Sequence, residues 1–197
     1  MSQIFFSRIK WCLLTLLLQV LCYAQQNPVC LIKTSMGDIK IEVNKDKAPL
    51  TSGNFLNYVE EGLYRNSSFF RVCTPDNESS RKIQIQVIQG GDVPENEQLP
   101  PITLESTEVT GILHKNGTIS MARDTPDSAT SSFFICVNDQ PELDFGGKRN
   151  PDGQGFAAFG QVISGMDVVL AIQGQEETNQ YLIEPVVIYD IVKVPSK

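Results

Sequence analysis

Ser67-Ser68-Phe69-Phe70-Arg71-Val72 is an apolar, aromatic stretch with a permanent charge near its end. Aromatic and β-branched residues suit a pleated, half-buried surface, so the run reads as a strand continuing to Cys73. The polar loop Thr74 to Arg81, with its proline, ends it. Two further runs stand out downstream, Gln89-Gly90-Gly91-Asp92 and Ser132-Phe133-Phe134-Ile135-Cys136. An arginine on a strand beside aromatic surface is suited to gripping a carbonyl in an apolar groove. A structural alternative is an ion pair between Arg71 and a carboxylate such as Asp92.

Outward from that run the chain reads as short strands with few helices. Val29 to Thr34 and Asp38 to Val43 flank the turn Ser35-Met36-Gly37-Asp38 and form a hairpin. Ala48-Pro49 opens a helix, with proline where its missing N–H costs nothing. Phe55, Leu56 and Val59 give it an apolar stripe, and Gly62 suits its C-terminal cap. Ile83 to Ile88 alternates as a strand, with Ile83, Ile85 and Val87 on one face. Residues 93 to 118 read mostly as loop. Thr118 to Ala122, Phe133 to Val137, Phe156 to Val162 and Val186 to Val194 read as strands, and Gly165-Met166 precedes a short helix. No strand–helix–strand alternation is visible. The pattern predicts a mainly β fold, a closed or nearly closed antiparallel barrel. Gly153-Gln154-Gly155 loosely imitates a dinucleotide fingerprint, but a strand follows it where a helix is required.

Composition limits the function. Arg8 and Lys10, the apolar run Trp11 to Leu21, and Cys22-Tyr23-Ala24 predict a secretory signal peptide over residues 1–24. That leaves one domain over 25–197, and an exported, periplasmic or secreted protein. The apolar run is short of the ~20 residues that span a bilayer, so no stable membrane insertion is expected after cleavage. The remaining chain carries 14 basic and 23 acidic residues, a net charge of −9. This argues against nucleic-acid binding, which needs a basic footprint. Cys30, Cys73 and Cys136 are an odd set, with a Cys30–Cys73 disulfide left open. The single histidine, His114, makes a zinc site improbable. A Ser-His-Asp site is also poorly supported, since there is no Gly-x-Ser-x-Gly elbow.

The ordered motifs resemble the cyclophilin family of peptidyl-prolyl cis-trans isomerases. They include Phe69-Phe70-Arg71-Val72, Gln89-Gly90-Gly91-Asp92, Gly117-Thr118-Ile119-Ser120-Met121-Ala122-Arg123, Ser128-Ala129-Thr130-Ser131-Ser132-Phe133-Phe134-Ile135 and Phe156-Ala157-Ala158-Phe159-Gly160. The Met-Ala-Arg and Ser-Ala-Thr wording is similar to bacterial members. The resemblance implies an eight-stranded antiparallel barrel closed by two helices. It also implies a monomer acting on proline-containing polypeptide clients, with no cofactor and no metal.

Residue by residue, the resemblance implies Arg71 as the catalytic arginine. Phe134, Leu143 and Val87 match walls of a proline pocket, and Gln89 a glutamine that bonds substrate backbone. Ala122 and Arg123 match the edge on which substrate lies, and Phe156 offers an aromatic face. Three positions depart from the family pattern. Gln86 falls where a pocket phenylalanine is usual, Ser132 replaces a second glutamine, and Glu142 falls where tryptophan or phenylalanine is usual. Thr74 to Ile85 reads as an insertion of about ten residues. These departures imply weak cyclosporin binding. They keep a second reading open, a non-catalytic peptide-binding chaperone or scaffold.

Overall fold

The computed structural model describes residues 27–195, so the predicted signal peptide lies outside the described residues. Nine strands run β1 Val29–Thr34, β2 Gly37–Val43, β3 Ser67–Cys73, β4 Val87–Gly90, β5 Thr118–Met121, β6 Phe133–Cys136, β7 Ala157–Ser164, β8 Glu177–Thr178 and β9 Tyr181–Val194. Their neighbour order is β1-β2-β7-β5-β6-β4-β3-β9-β8, and β1 also pairs with β9. Eight strands therefore close into an antiparallel barrel, and the short β8 is an outer hairpin partner of β9. The expected closed eight-stranded barrel is the observed one.

Helices α1 (Pro49–Glu60), α2 (Thr107–Thr110) and α3 (Met166–Gln173) complete the fold. The two expected helices are α1 and α3; α2 is a single extra turn inside the stretch read as loop. The α1 N-terminus lacks a local side-chain cap. Glu105 supplies one from a distance, accepting from the Leu50 and Thr51 N–H groups at 3.1 and 2.6 Å. At the other end Gly62 turns left-handed (φ 70°), and the Leu63 and Gly62 N–H groups donate to Tyr58 and Val59 carbonyls. That pairing is a Schellman cap.

The barrel interior is filled. Phe55, Tyr64, Phe69, Phe133 and Phe159 pack ring to ring, with centroids 5.0–5.8 Å apart. Ile32, Ile39, Ile41, Ile88 and Ile119 complete the packing, all fully buried. A second apolar cluster lies on the outside of β3, β4 and β6. It comprises Cys73, Ile85, Val87, Phe134, Cys136, Leu143 and Phe156. Strand alternation creates this division, because Phe133 and Ile135 point inward while Phe134 and Cys136 point outward.

Two boundaries differ from the sequence reading. β4 begins at Val87, and Ile83 is neither in a strand nor in either core. Just before β4, Gln84 Nε2 donates to the Glu78 carbonyl, the Ile85 N–H to the Glu78 carboxylate and Arg149 Nη1 to the Ile83 carbonyl, so Ile83 to Ile85 form no strand ladder. β9 begins at Tyr181, five residues before the expected start. Its register against β3 jumps from Phe69↔Val186 to Arg71↔Tyr181. Pro185 lies inside that irregularity, where its missing N–H leaves no ladder bond broken.

Candidate active site

A bulge aims Arg71. On β3, Phe69 pairs with Gly90 and Arg71 with Gln89, so one residue, Phe70, is extra. Simple alternation would put Arg71 on the same face as Phe69, inside the barrel. The bulge sends Phe69 and Val72 into the core and turns Arg71 outward. Gly90 permits the crossing, since a Cβ there would lie 2.7 Å from the Phe69 ring and 2.8 Å from the Ser68 carbonyl oxygen.

Arg71, Gln89, Phe134 and Ser120 then stand in one row across four strands. Arg71 and Phe134 line a cavity of about 350 Å³, together with Gln89, Val87, Leu143, Phe156, Ala122, Arg123 and Ser132. Nine of the ten expected site residues therefore meet around one opening. Gln86 does not. It has the opposite strand parity to Val87 and Gln89, and its side-chain oxygen accepts from Asn138 at 3.3 Å. Ile85 lines the cavity instead. Glu142 also lies outside the lining, with Oε2 accepting from the Lys148 N–H at 2.8 Å.

The floor of the cavity is apolar and braced. Phe156 meets Phe134 edge-on at 5.3 Å, and the Phe156 N–H donates to the Leu143 carbonyl at 3.0 Å. Gly155 allows that approach, because a Cβ there would sit 2.6 Å from the Leu143 carbonyl oxygen. Arg123 lies over the Phe156 ring at 5.3 Å, with Nε donating to the Gly155 carbonyl at 2.8 Å. Its Nη1 and Nη2 donate to both Asp152 carboxylate oxygens at 2.8 and 2.9 Å. Arg123 is therefore a neutralised wall that presents its guanidinium plane to the aromatic cluster.

Arg71 is different. Among the described residues it has no carboxylate partner. Asp92, the alternative partner, is occupied by the Ser68 N–H and hydroxyl. Arg71 Nη1 donates to Gln89 Oε1 at 2.8 Å, while Nη2 and Nε donate to Gln180 Oε1 at 2.6 and 3.1 Å. A guanidinium has five N–H donors, and these three bonds leave two for another molecule. Neutral amides orient the group without cancelling its charge. Gln89 gives its oxygen to Arg71, which leaves its NH₂ as a donor.

Behind Phe134 the sequence reading missed a polar chain. His114 stacks on Phe134 at 5.8 Å; its Nδ1 lies 2.7 Å from Asp144 Oδ1 and its Nε2 2.9 Å from Ser120 Oγ. An ionised carboxylate can only accept, so a proton on Nδ1 points to Asp144, and Nε2 bonds the Ser120 hydroxyl. Serine, histidine and aspartate do meet, although no elbow motif marks them. Ser120 is fully buried under the aromatic floor, however, and substrate cannot reach its oxygen. The chain braces Phe134 from behind. The three cysteines are buried and unpaired, which closes the Cys30–Cys73 disulfide possibility in this structure. Among the described residues no cluster could hold a metal ion, and no helix is long and apolar enough to cross a membrane.

A model of the family "Cyclophilin type peptidyl-prolyl cis-trans isomerase/CLD" matches residues 29–193. The chain belongs to the cyclophilin family. It is 40% identical over 146 residues to peptidyl-prolyl cis-trans isomerase B of Escherichia coli, covering 72% of this chain and 81% of that protein. It is 37% identical over 155 residues to a peptidyl-prolyl cis-trans isomerase of Acinetobacter baylyi, covering 77% and 75%. It is thus an enzyme of the cyclophilin type, a peptidyl-prolyl cis-trans isomerase. Its fold is similar to a solved Cryptosporidium parvum cyclophilin-type isomerase, crystallised in the presence of the dipeptide Ala-Pro. The TM-score is 0.69 at 22% identity, with 85% of this chain and 99% of that one covered. The cyclophilin barrel is the scaffold on which the Arg71 row and the aromatic floor are mounted.

Proposed function

We propose that this cyclophilin isomerises X–Pro bonds in exported polypeptides, with Arg71 as its catalytic group. The observation that carries the reading is the uncancelled Arg71 guanidinium, with two free N–H groups, beside the apolar floor of Phe134, Leu143 and Phe156. The proline ring occupies the apolar floor, and Gln89 NH₂ donates to a substrate carbonyl. The edge at Ala122 and Arg123 takes the extended backbone.

The chemistry follows from amide resonance. Resonance gives the bond a rotation barrier of ~18–20 kcal/mol. Twisting breaks it, makes the prolyl nitrogen pyramidal and exposes a lone pair. Arg71 donates to that nitrogen, a bond available only in the twisted state. Binding that strengthens only in the transition state raises kcat. Hydrogen bonds to charged groups contribute ~1.5–3 kcal/mol, and about 1.4 kcal/mol is a factor of ten in rate. The chemistry requires no nucleophile and no proton transfer.

Export rests on the signal-like residues 1–24, and a monomer is the simplest state for a complete cleft within one chain. The competing reading, a peptide-binding module without catalysis, draws on Gln86, Ser132 and Glu142. Two of these lie outside the cavity, and Ser132 Oγ is turned toward the Gly91 carbonyl at 3.4 Å. The test is a spectroscopic isomerisation assay on Ala-Pro-containing tetrapeptides, with peptide binding measured in parallel. Catalysis at sub-stoichiometric enzyme supports the isomerase; saturable binding without acceleration supports the module.

A further inference from the structure

The inserted segment 74–85 reaches the catalytic arginine through two residues. Glu78, fully buried, lies in that segment. Its carboxylate accepts from Arg149 Nη2 at 2.6 Å and Nη1 at 2.8 Å, and from the Ile85 N–H at 2.8 Å. It also accepts from Gln180 Nε2 at 3.0 Å. Gln180 is the residue whose Oε1 holds both Nε and Nη2 of Arg71. Arg149, at the other end of the chain of contacts, lines the cavity beside Arg71.

The direction of every bond in this chain is forced. Arginine can only donate and an ionised carboxylate can only accept. Gln180 stands between one of each. Its NH₂ must face Glu78 and its oxygen must face Arg71. A flipped amide would set donors against donors at Arg71 and oxygen against oxygen at Glu78. Glu78 therefore fixes the amide, and the amide fixes the guanidinium plane. The placement is costly for the backbone: Gln180 has φ 75°, next to Asn179 at φ 53°, in the two-residue turn between β8 and β9. A left-handed conformation is unfavourable for a residue with a Cβ, by ~1–2 kcal/mol. The turn does not need glutamine for its geometry; glycine would serve it better. The side chain's task at Arg71 accounts for its presence there.

We propose that Gln180 is a positioning residue for Arg71, and that the 74–85 segment supplies Glu78 to hold it in register. This rests on the isomerase reading above. Neither residue touches substrate; they act by keeping the two free Arg71 N–H groups aimed into the cavity.

Gln180→Met keeps the shape and removes the acceptor. We expect kcat to fall about tenfold, equivalent to about 1.4 kcal/mol, with KM for an Ala-Pro tetrapeptide within about twofold of wild type, since the floor is untouched. The Arg71 Nε–H resonance should shift and exchange faster with water. Glu78→Gln lets the Gln180 amide turn, and should lower kcat by several-fold. Gln180→Glu alone places two carboxylates together and should also impair the enzyme. Thermal melts confirm that each variant is folded. A folded Gln180→Met enzyme with kcat within twofold of wild type overturns the proposal. So does a folded Glu78→Gln enzyme with kcat equal to wild type. Wild type and Arg71→Ala run alongside separate the two claims. An inactive wild type defeats the isomerase reading itself, whereas an active, Arg71-dependent wild type with an indifferent Gln180 defeats only the positioning role.

Discussion

Arg71 keeps its charge uncancelled because its partners are amides, and this separates it from Arg123, 5.3 Å above the Phe156 ring and charge-paired with Asp152. Four arginines, Arg71, Arg81, Arg123 and Arg149, line the cavity, and Arg71 is the one of them without a carboxylate partner among the described residues. The floor residues act through area, so Phe134→Ala should raise KM by about tenfold to a hundredfold with a smaller change in kcat, measured with the same tetrapeptide. An unchanged KM would place the proline elsewhere. At this scale much was legible. Arg71, Phe134 and Gln89 could be named because each lies in a distinctive motif. Gln180 could not, since nothing near Asn179-Gln180 marks it; a hairpin turn with two positive φ values usually announces itself by Asn-Gly. His114 was visible only as a lone histidine, and its partners Ser120 and Asp144 come from other segments.

At the scale of elements, the segment between β3 and β4 carries the most consequence. Glu78 and Arg149 are a buried ion pair with side chains 0% and 9% exposed. Removing Glu78 leaves the buried Arg149 without a carboxylate partner, at a cost of ~3–5 kcal/mol. Glu78→Ala should therefore lower the thermal midpoint markedly, whereas Glu61→Ala, with no such pair, should not. Burial pushes the Glu78 carboxyl up, but bonds from Arg149, Ile85 and Gln180 outweigh it and hold it below the usual carboxylate range. A depressed native value means the stabilisation is complete above the ordinary carboxylate pKa and is lost as pH falls through the native one. Thermal melts across acid pH should show a steep loss in wild type and a flatter one in Glu78→Gln. Equal slopes would show that the carboxylate is not the source. The sequence hid this element because Ile83-Gln84-Ile85-Gln86 imitates strand alternation; Ile85 and Gln84 are instead bound to Glu78. The β3 bulge was equally hidden, since period-two reasoning assumes an unbroken ladder.

At the scale of the whole fold, closure seals the barrel interior and leaves the Arg71 cleft facing outward among the described residues. The overall barrel was legible because short apolar runs without strand–helix–strand alternation have few ways to bury themselves. Its strand order was not, because β7 lies between β2 and β5 through contacts that local pattern does not encode. The seal can be probed with thiols. Burial pushes Cys30 and Cys73 up to about 11 and raises Cys136 well above its usual value. A chain of residues 25–197 should show negligible reaction with a thiol reagent at pH 8 when native, and three reactive thiols once unfolded. Rapid native labelling of Cys30 would mean that the barrel interior opens on the assay's timescale, and of Cys73 or Cys136 that the outer apolar cluster does.

The central claim is that Arg71 stabilises the twisted prolyl amide. It is tested most directly by measuring kcat and KM separately for wild type and Arg71→Ala with one Ala-Pro tetrapeptide, for example from exchange rates of the cis and trans resonances at saturating peptide. The expected result is a fall in kcat of roughly a hundredfold or more, as for loss of a transition-state donor, with KM changed much less. Equal kcat in the two proteins, or a loss confined to KM, would contradict it.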